Sequence, residues 1–412
     1  MPRIPVTHAG SLIRPPELLS LMSAAGRGEP GAEAGYADAL RKAVAGTVRR
    51  QVETGVDVID DGEMGKSNWI SYLYERTTGL EARPLTGDFT TILPASRDRQ
   101  HFPGAYAEID ALDAAAARKA AGDDGGAGAP ADWVCAGPMT YDRAAIDRDI
   151  ANFKTSLADA GVDLGTSGNQ STGDGIQAFL PVVAPASAYW LRNEHYATDE
   201  EFVYALADVL HEEYKAITDS GLLLQVDDAV LMHEADTMLS RGQSWEDYRK
   251  WAELRVDALN HALRGLPEDR VRYHICFGSW HGPHAYDPPL RDSIDLVLKV
   301  NARYYLMEQA NPRHEHEWKI WEDVKLPDGK VLVPGVVTHH TNVVEHPELV
   351  AQRLVRLANV VGRENVMGGT DCGFAQGAFI HRVHEEIQWA KLESIAEGAR
   401  IASRQLWGAK AE

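Results

Sequence analysis

Val271-Arg-Tyr-His-Ile-Cys-Phe-Gly278 reads as a short strand that ends on chemistry. Side chains alternate along an extended segment, so His274 and Cys276 share one face and Tyr273 and Ile275 the other. The same design, an apolar run closed by polar residues, recurs along the chain. Ala302 to Glu308 ends on a carboxylate, and Val366 to Gly369 leads into Thr370-Asp-Cys-Gly373. Leu222 to Val226 leads into Asp227-Asp228, and Val56 to Asp60 into Asp61-Gly-Glu63. Val6 to Gly10, Gln177 to Val183 and Val331 to Val337 bring the count to eight. Helical patterns such as Glu200 to Ser220, Ser244 to Leu263 and Pro347 to Val361 lie between them. Strands alternating with helices imply βα units on a parallel sheet. Eight units predict an α/β fold, a (β/α)8 TIM barrel with its chemistry at the C-terminal strand ends.

The 412 residues fit one such barrel with room for an insertion. We expect residues 1–412 to form a single barrel and residues 80–175 to be a long excursion between strands 2 and 3. That excursion is expected to hold a strand at Trp133 to Ala136 and a helix near Arg143 to Ala160. A surface loop is expected at Asp123 to Pro130, within the Ala-, Gly- and Asp-rich run Ala114 to Ala131. The composition is globular, 44% hydrophobic and 25% charged, with a mean hydropathy of −0.31. A net charge of −20 argues against nucleic-acid or anionic-membrane partners. No apolar run is long enough for a transmembrane helix, and the N-terminus lacks a signal-peptide apolar region. Three cysteines, an odd number, argue against a disulfide framework and for a reducing, cytoplasmic setting. A homo-oligomer is compatible with this composition.

One His, two Cys and one Glu on successive strand ends are a donor set for a tetrahedral Zn²⁺. Glu308 lies 32 residues after Cys276 and Cys372 lies 64 after Glu308, the spacing of one and of two βα units. Taken singly, Cys276 and Cys372 read as ordinary buried thiols. Four such residues at the ends of three expected strands, five, six and eight, point instead to one site: His274, Cys276, Glu308 and Cys372. A second set, Arg313-His-Glu-His-Glu317 with His281 and His284, follows Asn311-Pro312 and reads as a hydrogen-bonded loop or pocket lining. His339-His340, after strand seven, can supply a general acid or base. Glu63, Asp227 and Asp228 at strand ends can bind an ammonium or deliver a proton. Trp69, Tyr72, Tyr189, Trp190 and Trp280 are candidates for a stacking wall, and Arg14 and Arg313 for anion binding.

Taken together, Thr7-His-Ala-Gly-Ser11, Asp61-Gly-Glu63, Gln225-Val-Asp-Asp228, His274-Ile-Cys276, Glu308 and Thr370-Asp-Cys-Gly373 resemble the catalytic C-terminal barrel of cobalamin-independent methionine synthase. The resemblance implies zinc on His274, Cys276, Glu308 and Cys372. It implies a substrate amino group on Glu63 and Asp227, its carboxylate near Ser11, and proton transfer by His340. The family's long members have two barrels and this chain has room for one, so a single-barrel relative is expected.

The expected function is zinc-dependent transfer of a methyl or alkyl group to a thiol such as homocysteine, through a zinc-bound thiolate, in methionine biosynthesis. The partners are then a small-molecule thiol and an alkyl donor: a folate, another methyl donor or an epoxide. A free thiol is only a few per cent ionised at neutral pH, and Zn²⁺ deprotonates it. The alternative is zinc-dependent addition of a thiol to an epoxide, as in epoxyalkane:coenzyme M transferases. Two further readings are a metal-free decarboxylase-like barrel and an inert barrel with a closed structural zinc site.

Overall fold

In the computed structural model, residues 2–84, 95–121, 131–164, 175–188 and 191–408 are described, with backbone alone for 116–121. The strands are β1 (Val58–Ile59), β2 (Thr77–Pro84), β3 (Ala131–Tyr141), β4 (Gln177–Val183), β5 (Leu191–Asn193) and β6 (Leu223–Asp228). They continue with β7 (Val271–Ile275), β8 (Tyr304–Met307), β9 (Val331–Val337), β10 (Gly369–Thr370), β11 (Ala375–Gly377) and β12 (Ile380–His381).

Seven of these form one parallel sheet in the order β1-β4-β6-β7-β8-β9-β10. Val6 bridges Gly368, next to β10, and Thr7 bridges Val58 in β1, both in parallel. The first segment therefore fills the gap between the last strand and the first, and the sheet closes as an eight-membered TIM barrel. The expected strand Val6 to Gly10 shrinks to these two bridges. Gly10 turns the chain away with φ 121°, and a Cβ there would stand 3.0 Å from Glu63 Oε1.

The pleat sorts the strand residues into two cores. Phe179, Leu223, Tyr304, Leu306, Val331 and Val333 pack together inside the barrel. Their neighbours Leu180, Leu224, Tyr273, Ile275, Tyr305 and Leu332 pack outward under the helices. Arg272 and His274 take the inward parity on β7. The outer layer includes Asp199–Asp219 and Trp245–Ala262, each opened by a capping box, and Pro347–Val361.

The excursion has more structure than its composition suggests. β2 pairs antiparallel with β3, and β3 pairs parallel with β5, in a separate three-stranded sheet. The strand expected at Trp133 to Ala136 is the middle of β3, and the expected helix is Ala144–Asp159. No strand was expected at Thr77–Pro84, because its partner lies some fifty residues away and its own alternation is weak. Ala114 to Ala121 belongs to the helix Pro103–Ala121, as its alanines favour. The Asp123 to Pro130 loop and the run Ser167 to Gly173 lie outside the described residues, as do Tyr189 and Trp190. The helices Arg97–His101 and Pro103–Ala121 reach the loop after β7: Asp98 accepts from the backbone N–H of His284 and Ala285, and Tyr106 pairs with Trp280. Among the described residues, no helix is long and apolar enough to cross a membrane.

Candidate metal centre

His274, Cys276 and Cys372 meet at the C-terminal end of the barrel, with ligand atoms all within 4.8 Å of one another and all three residues buried. Parity brings His274 and Cys276 inward from β7, and the turn after β10 presents Cys372. His274 Nδ1 lies 2.9 Å from Asp227 Oδ1, its registered neighbour on β6. That contact holds the ring and leaves Nε2 facing the thiols, 3.4 Å from the Asp371 carbonyl. Burial works against the charged ring, but the Asp227 hydrogen bond and the charges of Asp227, Cys276 and Glu308 raise its pKa to about 9. The Cys276 thiol is pushed well up by its hydrogen bond with Cys372 and by burial. Two buried thiols this close resist ionising together, and a bound cation removes that penalty. Two soft sulfurs and an oriented imidazole fit Zn²⁺.

Glu308 stands beside this trio without belonging to the close set. Its Oε1 accepts from the Phe277 N–H at 3.0 Å and its Oε2 from Asn311 Nδ2 at 2.7 Å. Burial, then Cys276 and Asp371, push its carboxyl well above the usual range. Asp371, which the sequence reading did not single out, braces the site from behind. Its Oδ1 accepts from the N–H groups of Gln309 and Ala310 at 2.9 and 2.8 Å. Gly335 on β9 is required by that brace, since a Cβ there would fall 2.0 Å from Asp371 Oδ1.

Glu63 occupies the turn after β1 with φ 55°, a left-handed conformation that costs a non-glycine residue ~1–3 kcal/mol. Asp61 Oδ1 accepts its N–H, and Lys66 Nζ lies 3.1 Å from its Oε2. Burial raises its carboxyl, and the nearby Asp227 raises it further. Two like-charged carboxylates opening on one space favour a cation between them. Ser11 is buried against the turn that carries Cys372: its carbonyl accepts from Phe374 N–H, and a Cβ on Gly373 would lie 2.1 Å from its Oγ. Asp228 has the opposite parity from Asp227 and turns outward, accepting from Tyr273 Oη and Ser187 Oγ, so it does not pair with Asp227 at the mouth.

His339 and His340 follow β9 with ring centroids 4.8 Å apart. His339 is 1% exposed, and neither ring nitrogen has a partner among the described residues. His340 is half-buried, its Nδ1 is unpartnered, and burial with the charges of His284 and His281 lowers its pKa to about 4.

Other candidates resolve into structure. Arg14 spends its guanidinium on the carbonyls of Glu63, Lys66 and Gly377. Arg313 is exposed and donates to the Ala285 carbonyl. Neither is an anion site. His314 is held between Glu317 and Asp287, Asp287 also takes His284, and the His314 ring stacks on Phe277 at 3.7 Å. This relay steadies the residue after Cys276, and His316 is exposed. Tyr72 and Trp280 are buried in hydrogen-bonded packing, and Trp69 is packed against the core. Beneath the trio, buried Arg272 donates to Gln225, Thr7 and the His8 carbonyl, so a cation inside the barrel links its first segment to β6. Its place mid-strand gave no sign of that role.

Residues 186–390 match the family described as the cobalamin-independent synthase catalytic domain. That span contains Asp227, His274, Cys276, Glu308, His340 and Cys372, whereas Ser11 and Glu63 lie outside it. The chain is 24% identical to a methionine synthase of Thermococcus kodakarensis over 231 residues, 55% of this chain and 58% of that protein. It is 22% identical to a methionine synthase of Pyrococcus furiosus over 409 residues, 98% of this chain and 95% of that protein. Several of the curated relatives are thus matched over little more than half their length. In fold it resembles a B12-independent methionine synthase from Shewanella sp. W3-18-1, with TM-score 0.68, 17% identity and coverage of 98% of this chain and 99% of that one. A second such structure, from Listeria monocytogenes, gives TM-score 0.62 at 18% identity with the same coverage. With the barrel, the strand-end trio and the matched catalytic domain in agreement, the chain belongs to the cobalamin-independent methionine synthase family.

Proposed function

We propose that this chain is an enzyme that transfers a methyl or alkyl group to the sulfur of a small thiol such as homocysteine. The observation that carries this reading is the convergence of His274, Cys276 and Cys372 within 4.8 Å at the barrel mouth. Those three would hold zinc, with Glu308 as the adjoining carboxylate. Bound there, zinc would supply the Lewis acidity that turns an incoming thiol into a nucleophilic thiolate at neutral pH. Three free cysteines suit a reducing compartment such as the cytoplasm.

The other residues take roles that their surroundings support. Glu63, whose carboxyl burial and the charge of Asp227 push up, would bind the substrate's ammonium together with Asp227. Asp227 has a second role, since its Oδ1 is committed to His274. Ser11, packed on the Cys372 turn, would lie near the substrate carboxylate. His340 would move the proton to the leaving group. Burial and the neighbouring histidines lower its pKa to about 4, so the proton it delivers must be gained as substrate charge enters.

Metal analysis with thiol titration of the cobalt-substituted protein tests this. Wild type should bind about one zinc per chain, Cys276→Ser and Cys372→Ser should each lose most of it, and a thiol should perturb the cobalt spectrum. Full zinc in both variants would end the proposal.

A further inference from the structure

We propose that Glu345 and Lys391 are positioning residues for His340: as a buried ion pair they fix the loop that carries its ring and set the charge it faces. The proposal rests on the reading of His340 as the group that protonates the leaving group. Between β9 and the helix Pro347–Val361 the chain has no regular backbone ladder. Side chains hold it instead. Glu345 Oε1 accepts the N–H of Thr338 at 2.8 Å and its hydroxyl at 3.0 Å, and the Thr341 hydroxyl lies 2.7 Å from that of Thr338. Glu345 Oε2 lies 2.8 Å from Lys391 Nζ, on the helix Glu385–Trp407. Lys391 also donates to the Val343 carbonyl at 2.6 Å and to the Thr338 hydroxyl at 3.2 Å, and Ser394 Oγ donates to the Glu345 carbonyl. His339 and His340 are thus enclosed between Thr338 and Glu345, which are pinned to each other and to one helix.

The pair is buried, with side chains 0% and 9% exposed. Apolar side chains would hold a helix to a loop at less desolvation cost, so the contribution of the pair is directional. An ammonium has three donors, and here each has its own acceptor on the loop. His340 Nδ1 has no partner among the described residues, so the place of the ring follows from the backbone that carries it. Its ring lies 4.8 Å from that of His339. Burial, then the charges of His284 and His281 from the loop after β7, of Lys391, and of Arg382 after β12, lower its affinity for a proton. Lys391 therefore acts on His340 twice, through the loop and through its charge.

NMR of the histidine-labelled, zinc-loaded protein and a comparison of alkyl donors test this. Lys391→Met removes the cation and Lys391→Arg keeps it. The double variant Glu345→Gln with Lys391→Met leaves no unpaired charge, should the single variant fail to fold. His340, assigned with His340→Gln, should stay neutral in wild type down to about pH 5.5; in Lys391→Met and the double variant its midpoint should rise from about 4 toward 6.5. Homocysteine is then alkylated by two kinds of donor. With methyl iodide the S–C bond forms as C–I breaks, and iodide leaves with the electron pair and needs no proton. With 5-methyltetrahydrofolate or epoxypropane the pair goes to nitrogen or oxygen, which must take a proton. In both variants kcat with the second kind should fall about tenfold or more, with KM for homocysteine and zinc content unchanged, and Lys391→Arg should recover part of it. The methyl iodide rate should be unchanged. A His340 midpoint that stays put in both variants, or an equal loss with methyl iodide, overturns the positioning. If wild type turns over no donor of the second kind, the reading of His340 as a proton donor fails, and movement of the midpoint alone still upholds or overturns the positioning.

Discussion

Replacing Asp227 by alanine separates what that carboxylate does for the metal from what it does for the proton on His274. Its Oδ1 lies 2.9 Å from His274 Nδ1, and against the cost of burial its hydrogen bond and charge, with the charges of Cys276 and Glu308, raise the ring's pKa to about 9. Zinc entering at pH 7.5 must first displace that proton, which costs about 2 kcal/mol over the interval from 7.5 to 9. Against this, a carboxylate on the far nitrogen orients the imidazole and strengthens it as a ligand, typically about 10–100-fold in affinity. In Asp227→Ala both effects are lost, and burial is then opposed only by the charges of Cys276 and Glu308, so the His274 pKa should fall.

The two changes oppose each other near neutrality and separate as pH rises. Zinc affinity measured by chelator competition should differ little between variant and wild type at pH 7.5. It should favour wild type by about 10–100-fold above pH 9. Wild type should also release about one more proton per zinc at pH 7.5, the one from His274, which calorimetry in buffers of different ionisation enthalpy can count. A pH-independent affinity ratio with equal proton release would refute the assignment of Asp227 to His274.

Three further outcomes follow from the geometry. Gly373→Ala puts a methyl 2.1 Å from Ser11 Oγ; displacing the Cys372 turn should cost about 1–3 kcal/mol of stability and reduce zinc content, by denaturant titration and metal analysis. Lys391→Met leaves Glu345, now 2.8 Å from the lysine Nζ, as an unpaired buried charge beneath the His339-His340 turn, a loss of about 3–5 kcal/mol in the same titration. His314 gains its partners on folding, and its pKa rises to about 9 despite burial. Its stabilising contribution is therefore complete below about pH 6.5 and lost as pH rises through 9, so His314→Gln should be more destabilising at pH 6 than at pH 9.5.

Much of the barrel was legible because its signals are local. A run of β-formers closed by a polar residue identifies a strand and its C-terminal end, and a period of two assigns each side chain to a face. Phe179, Tyr304 and Val333 inside, with Tyr273, Ile275 and Leu332 outside, follow from that rule alone. The excursion was harder, since β2 and β3 pair across a long connection and neither alternates strongly.

The sequence by itself determined which residue types arrive at the barrel mouth. His274, Cys276 and Cys372 are strand-end residues, and once eight parallel strands close, their ends must converge. Only the tertiary structure decided how each polar atom is used. Asp227 and Asp228 are adjacent and look equivalent, yet one orients His274 and the other ties β6 to the helical layer. Glu308 reaches the site with both oxygens engaged, and Asp371 braces it from a strand end sixty residues on. Arg14 and Arg382 are both largely buried cations, one with its terminal nitrogens on three carbonyls and the other 4.0 Å from Asp113. Hydrogen-bond satisfaction depends on atoms brought together from distant segments, and no local pattern encodes which of them will meet.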